Sequence, residues 1–386
     1  MIGIKLRLYP NKEQRLKIIQ TLGCCRKFYN EMLSERKHVY EELKENPTKL
    51  YGYKYKTPAE IKNEFPFMKE VDSQAFLWEK LALDTAYKNF YCSIQGKRRG
   101  SKAGFPKFKR LNGKNSYRTT GAQNKIKFST TKIKIPKIGW VKYKGYKNLD
   151  VKTIKYGTIS KKGEVFTISL CIDDNRINTE KVKITKDSKV IGLDMSLSKF
   201  FVDLEGNSPA YEKIYKKHEK KLSRLQHILS RKQNGSHRKK KLQASITKMH
   251  WHISNARLDF THKLSRKLVE ENDVIVVESL NMKTMSQSLK LGKSVSDLGW
   301  GIFINQLRYK CGWYGKHLVE ADKWFASSKI CSKCGHKNDN LRLKDRKWVC
   351  PNCGVAIDRD INAANNLKEL GKQVLGMACV HQCSLS

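Results

Sequence analysis

Val274-Ile275-Val276-Val277-Glu278 decides the fold class of the second half of the chain. Four consecutive β-branched apolar residues predict a strand buried on both faces, as in a sheet covered by helices on either side. The run closes on a carboxylate, which is costly at the end of a buried strand unless it is paired or holds a metal. Upstream, Val190-Ile191-Gly192-Leu193-Asp194 repeats the arrangement. Phe200-Phe201-Val202-Asp203-Leu204-Glu205-Gly206 reads as its hairpin partner. A Lys-rich helical stretch over 211–270, interrupted at Asn234-Gly235-Ser236, lies between the two apolar strands. A helix around 300–316 and a strand, His317-Leu318-Val319-Glu320-Ala321, follow. Strands alternating with helices predict an α/β domain starting near Lys189.

Toward the N-terminus the pattern changes. Ile2, Ile4, Leu6 and Leu8 alternate with basic residues and predict a strand over 1–10. Pro10-Asn11-Lys12-Glu13 reads as a helix start, and helical spacing runs through Leu16, Ile19, Leu22, Phe28 and Met32. A polar stretch near 45–58 breaks it, and a second helix is expected from about Ser73 to Ile94. From the basic loop at Gly96 onward come short alternating segments: 125–128, 132–136, 140–143 and 165–170. They predict an antiparallel sheet or small barrel with a basic face, completed by the N-terminal strand.

Charge narrows the partner. The 386 residues carry 78 Lys plus Arg against 36 Asp plus Glu, a formal net charge of +42. Solubility asks for roughly 2–8, so a polyanion is the expected partner. No apolar stretch approaches the ~20 residues that span a bilayer. The first ten residues lack the continuous apolar core of a signal peptide, which predicts a prokaryotic cytosolic, nucleoid-associated protein without membrane contact. Eleven cysteines, an odd number, then point to reduced thiols and metal rather than a disulfide framework.

Cys331-Ser332-Lys333-Cys334 and Cys350-Pro351-Asn352-Cys353 are two Cys-x-x-Cys pairs separated by 15 residues. Their spacing fits one tetrahedral zinc held by four thiolates, with Gly335 and Gly354 easing the turn after each pair. Four thiolates leave no open position, so this zinc is structural. The other cysteines lack ligand spacing, and the terminal Cys379, His381 and Cys383 are expected in an unstructured tail. Asp194, Glu278 and a third acid in Asp358-Arg359-Asp360-Ile361-Asn362 could form a hard oxygen site for two magnesium ions, suited to cutting a phosphodiester. Spacing leaves Asp358 and Asp360 competing for the third position; Asp358 could instead cap a helix.

The order and wording of these motifs resemble the TnpB (OrfB) family, transposon-encoded proteins related to the compact type V CRISPR effectors. The resemblance covers nearly the whole chain. It runs from Arg7-Leu8-Tyr9-Pro10 through Gly104-Phe105-Pro106-Lys107-Phe108 and Ser116-Tyr117-Arg118-Thr119. It continues with Pro136-Lys137-Ile138-Gly139-Trp140, Asn255-Ala256-Arg257-Leu258-Asp259-Phe260 and Gly299-Trp300-Gly301-Ile302-Phe303, and closes on the cysteine pairs and the Asp358–Ala364 segment. Ser196 departs from the family's usual Gly.

The resemblance implies an RNA-guided endonuclease that cuts double-stranded DNA beside a short motif. Asp194, Glu278 and Asp360 would be the catalytic, magnesium-binding acids, with Asp360 chosen over Asp358. The implied fold is multidomain, α+β and α/β. Residues 11–94 would be a helical recognition domain. Residues 1–10 and 95–188 would form a β-barrel wedge domain. An RNase H-like, RuvC-type nuclease domain would span 189–329 and 355–372, with a zinc ribbon inserted at 330–354 and a tail at 373–386. Partners would be a guide RNA from the transposon end and target DNA, bound by a monomer, one chain per guide. Ser73, Gln74 and Gln123 are the implied motif contacts. Arg118 and the aromatics Tyr53, Tyr55, Phe105, Phe108 and Tyr117 are expected at the nucleic acid, the rings stacking on bases. The alternative function is a guided DNA-binding repressor that does not cut.

Overall fold

The computed structural model describes residues 2–376 apart from 99, 112–114, 123–124, 146–152, 174–179, 280–291, 293–296 and 343. The chain divides into two compact units, Met1–Asn175 and Arg176–Ser386.

The first unit opens with β1 (Ile2–Tyr9) and the long helix α1 (Lys12–Leu43). Asn11 caps α1 reciprocally with Gln14: the Gln14 amide donates to Asn11 Oδ1 at 2.8 Å, and the Asn11 amide donates to Gln14 Oε1 at 3.1 Å. The polar stretch after α1 is not a plain linker. It holds α2 (Pro47–Gly52) and leads into α3 (Pro58–Glu64), each started by a capping residue and a proline. Helix α4 (Ser73–Ile94) packs on α1 around Phe28, Met32, Phe76 and Leu83.

Seven antiparallel strands complete this unit: β1, β2 (Asn115–Thr120), β3 (Lys127–Phe128), β4 (Lys132–Ile135), β5 (Gly139–Lys144), β6 (Thr153–Lys162) and β7 (Val165–Asp173). Their order is β2-β6-β7-β1-β5-β4-β3. Among the described residues, β2 and β3 end the sheet without pairing to each other. Strand β1 lies at the middle, and its Ile4, Leu6 and Leu8 are buried.

The second unit contains a four-stranded sheet ordered β11-β10-β8-β9. Its strands are β8 (Val190–Ser196), β9 (Phe200–Val202), β10 (Val274–Glu278) and β11 (His317–Ala321). Strand β10 runs parallel to both neighbours, with Val277 opposite Leu193. The helices are α5 (Ile214–Ser230), α6 (His237–Glu271), α7 (Trp300–Trp313) and α8 (Arg359–Val374). Val274 and Val276 pack with Leu367 of α8, whereas Ile275 and Val277 pack with α6 and α7 through Leu268, Phe303 and Leu307. Both faces of β10 are covered, which is why its sequence does not alternate. Gly192 lets α8 lie against β8, since a Cβ there would sit 2.1 Å from the Ala364 carbonyl oxygen. A two-stranded ribbon, β12 (Lys347–Val349) and β13 (Ala356–Asp358), links the second cysteine pair to α8.

Candidate active site

Strand period and helix period bring the three acids to one place. Val190 and Gly192 of β8, and Val274 and Val276 of β10, face α8, so Asp194 and Glu278 continue that face at the strand ends. On α8, Ala364, Leu367 and Gly371 face the sheet, and Asp360 falls on the same stripe one turn earlier. Asp358 is occupied elsewhere: it is the N-cap of α8, and its Oδ1 accepts from the amides of Asp360 at 3.0 Å and Ile361 at 3.2 Å.

The electrostatics report the convergence. Asp194 is pushed up to about 8, first by burial, then by the negative charges of Glu278 and Asp360; Arg359 and Arg346 pull against this. Glu278 is also raised by burial, while the Ser327 hydroxyl and Arg359 hold it down. Arg346 Nη1 donates to Asp360 Oδ1 at 3.2 Å, and Arg359 Nη2 donates to Ser328 Oγ at 3.3 Å. Half-buried carboxylates that repel one another are a donor set suited to a hard divalent cation, which would relieve the repulsion.

A pH prediction follows from Asp194. Its folded value lies above the ordinary 3.8, so its contribution to stability is full below that value and is lost as pH rises through about 8. With no divalent ion added, thermal melts should show wild type losing stability between pH 5 and pH 8.5 more steeply than Asp194→Asn. Millimolar magnesium should remove most of the difference. Identical slopes in the two proteins would contradict this electrostatic account.

The four cysteines also converge. The Sγ atoms of Cys331, Cys334, Cys350 and Cys353 all lie within 4.8 Å of one another. The Cys331–Cys353 and Cys334–Cys350 separations are 3.7 and 3.6 Å. A zinc–sulfur bond of ~2.3 Å gives a tetrahedral edge of ~3.8 Å, so the set fits one zinc ion. Each pair forms a tight turn in which Gly335 and Gly354 adopt φ of 75° and 71° and donate to the Cys331 and Cys350 carbonyls, both at 2.9 Å. Among the described residues, no acidic triplet closes as tightly as these thiols.

The expected nucleic-acid contacts lie in the first unit and divide. An open groove of about 1250 Å³ is lined by Lys37, Trp78, Phe105, Phe108, Arg110 and Arg118, among others. Arg118 sits over two rings that touch each other, 4.7 Å from the Trp78 centroid and 4.3 Å from that of Tyr156. Phe105, Phe108, Tyr53 and Tyr55 are exposed. Tyr117 corrects the expectation of stacking: it is 2 % exposed and packed in the sheet core, so its ring faces are taken. Ser73 is exposed at the start of α4, where its Oγ accepts from Lys62 Nζ at 3.3 Å. The Gln74 amide is capped by Asp72 at 3.1 Å. Gln123 lies outside the described residues, as do Cys379, His381 and Cys383.

Sequence reasoning passed over Ser327, Asn362, Asn366 and Arg346. Two asparagines one turn apart inside a helix are a readable signal, because asparagine is a poor helix former.

Comparison with known proteins finds matches along the chain. A model of the OrfB IS605 family described as a probable transposase matches residues 172–289, which include Asp194 and Glu278. A Cas12f1-like TNB domain model matches residues 300–367, which include the cysteines and Asp360. The OrfB helix-turn-helix domain model matches residues 1–45, a segment that folds here as β1 and α1. A Streptomyces pristinaespiralis protein with the provisional name RNA-guided DNA endonuclease is 29 % identical, over 96 % of this chain and 89 % of its own length. InsQ of Escherichia coli K12, provisionally named in the same way, is 28 % identical, over 97 % of this chain and 93 % of its own. In fold, the chain is similar to Cas12f1 as seen in a complex with sgRNA and target DNA. The TM-score is 0.51 at 14 % identity, covering 95 % of this chain and 98 % of that one. No helix among the described residues is long and apolar enough to cross a membrane. Family models that span the acids and the cysteines, together with relatives aligned along almost the entire sequence, place the chain in the TnpB (OrfB) family.

Proposed function

We propose that this protein is an RNA-guided DNA endonuclease that cuts double-stranded DNA beside a short motif, with one RuvC-like active site made by Asp194, Glu278 and Asp360. The observation that carries the reading is the convergence of these acids on the α8 face, where Glu278 and Asp360 raise Asp194. A protein that only binds nucleic acid gains nothing from three acids gathered where a phosphate would approach. The provisional names of the full-length relatives support the same activity.

Asp194, Glu278 and Asp360 would hold two magnesium ions. These would polarise the attacking water and neutralise charge developing at the scissile phosphate. Arg359 and Arg346 moderate the negative charge of the acids. The four cysteines would hold a structural zinc, keeping the ribbon folded beside α8. The helices and sheet of the first unit would serve as recognition and wedge elements. Their basic residues would grip a transposon-end guide RNA and its DNA target through the backbone, while base pairing reads the sequence. Arg118, held against the Trp78 and Tyr156 rings, is a groove cation suited to this task.

The test is purification from cells that carry the flanking DNA, followed by sequencing of bound RNA. One discrete RNA species from the neighbouring element is expected, and no such species would refute guidance. Binding of that RNA should weaken by on the order of a thousandfold or more between 50 and 200 mM salt, as expected for many phosphate contacts.

A further inference from the structure

Glu278 receives a hydrogen bond from outside its own sheet. Ser327 Oγ donates to Glu278 Oε1 at 2.5 Å. Ser327 is 4 % exposed and lies in the link between β11 and the first cysteine pair. Two amides of α8 hold that link. Asn366 Nδ2 donates to the carbonyls of Ser327 at 2.7 Å and Ile330 at 2.6 Å. Asn362 Nδ2 donates to the Ile330 carbonyl at 2.6 Å, and its Oδ1 accepts from the Ser332 amide at 2.8 Å. Both asparagines are buried, at 2 % and 7 % exposure for Asn362 and Asn366. Each Asn366 amide hydrogen has its own carbonyl, and each Asn362 amide atom is used, so this is a matched set rather than an incidental contact.

We propose that Ser327 is a positioning residue for Glu278: it fixes the carboxylate in the orientation that receives a divalent ion, and Asn366 and Asn362 fix Ser327 by clamping the link to α8. The inference rests on the reading of the three acids as a metal-binding active site. A hydroxyl donating to one lone pair of Oε1 leaves the remaining lone pairs for a cation and stops the carboxylate rotating. One helix therefore presents the third acid, Asp360, and also sets the group that orients the second.

The test compares Ser327→Ala, Ser327→Thr and Asp194→Ala in the full-length chain. Manganese is titrated alone into nucleic-acid-free protein and followed by electron paramagnetic resonance. Cleavage is measured on the protein purified with its RNA. Ser327→Ala should weaken the manganese site that Asp194→Ala removes, and slow cleavage, each by about tenfold to a hundredfold. Zinc content and target binding should stay at wild-type levels, which separates positioning from misfolding. Ser327→Thr, which keeps the hydroxyl, should recover most of both losses. Unchanged manganese affinity in Ser327→Ala, or a Thr variant no better than Ala, would overturn the inference while Asp194→Ala still abolishes cutting. If Asp194→Ala continues to cut, the active-site reading fails, and this inference fails with it.

Discussion

Asp194→Ala protein should assemble with its RNA, bind its target and leave it uncut. Asp194 stands near the C-terminal end of β8, beside β10 with Glu278 at its end, on the face covered by α8. On the proposed reading, removing it takes away a metal ligand and the charge that Glu278 and Asp360 act upon. Transition-state stabilisation by bound metal amounts to several kcal/mol, so cleavage should fall on the order of a thousandfold or more. Target affinity should change by less than about threefold, because phosphate contacts of the basic surfaces supply most of it. Undiminished cutting would remove Asp194 from the chemistry. Wild-type protein that binds its target and never cuts would favour the repressor alternative.

The second large effect concerns the ribbon. Among the described residues its core is Cys331, Leu341, Trp348, Cys350 and Ile357, too little apolar surface to hold residues 330–358 folded without a cross-link. Structural zinc contributes ~10–16 kcal/mol of binding free energy in small domains of this kind. Cys334→Ser should therefore lose zinc, open the ribbon to protease and reduce cleavage by more than about tenfold, since the link carrying Ser327 leads directly into Cys331. RNA binding by the first unit should persist. Metal analysis and limited proteolysis check this, and full zinc content in Cys334→Ser would disprove the four-thiolate site.

Much of this was legible in sequence where the pattern was local. The uninterrupted run of β10 announced a strand covered on both faces, and Pro10-Asn11-Lys12-Glu13 announced the start of α1. What escaped was non-local. Strand β6 hides its alternation because Gly157 takes an inward position among Ile126, Ile168 and Leu170, which approach within 3.0–3.2 Å of where its Cβ would be. Strand β2 hides behind Thr119, an inward polar residue whose hydroxyl donates to Asp72. Spacing left Asp358 and Asp360 open and only the family resemblance pointed to Asp360; the structure adds that Asp358 caps α8. Ser327 carries no charge, and its partner lies 49 residues away, so nothing in its neighbourhood marks it.

The placement of β1 has a consequence for biosynthesis. Ile2 pairs with Ile172, and β1 lies between strands supplied by residues 139–173. On the ribosome, β1 must wait for its partners until about 140 residues have followed it to supply β5 and about 170 to supply β7, closures of high contact order. Helices α1 and α4 can collapse earlier, through contacts nearer in sequence. The sheet is therefore the late event of the first unit, and deleting residues 2–9 would remove its central strand instead of trimming an edge.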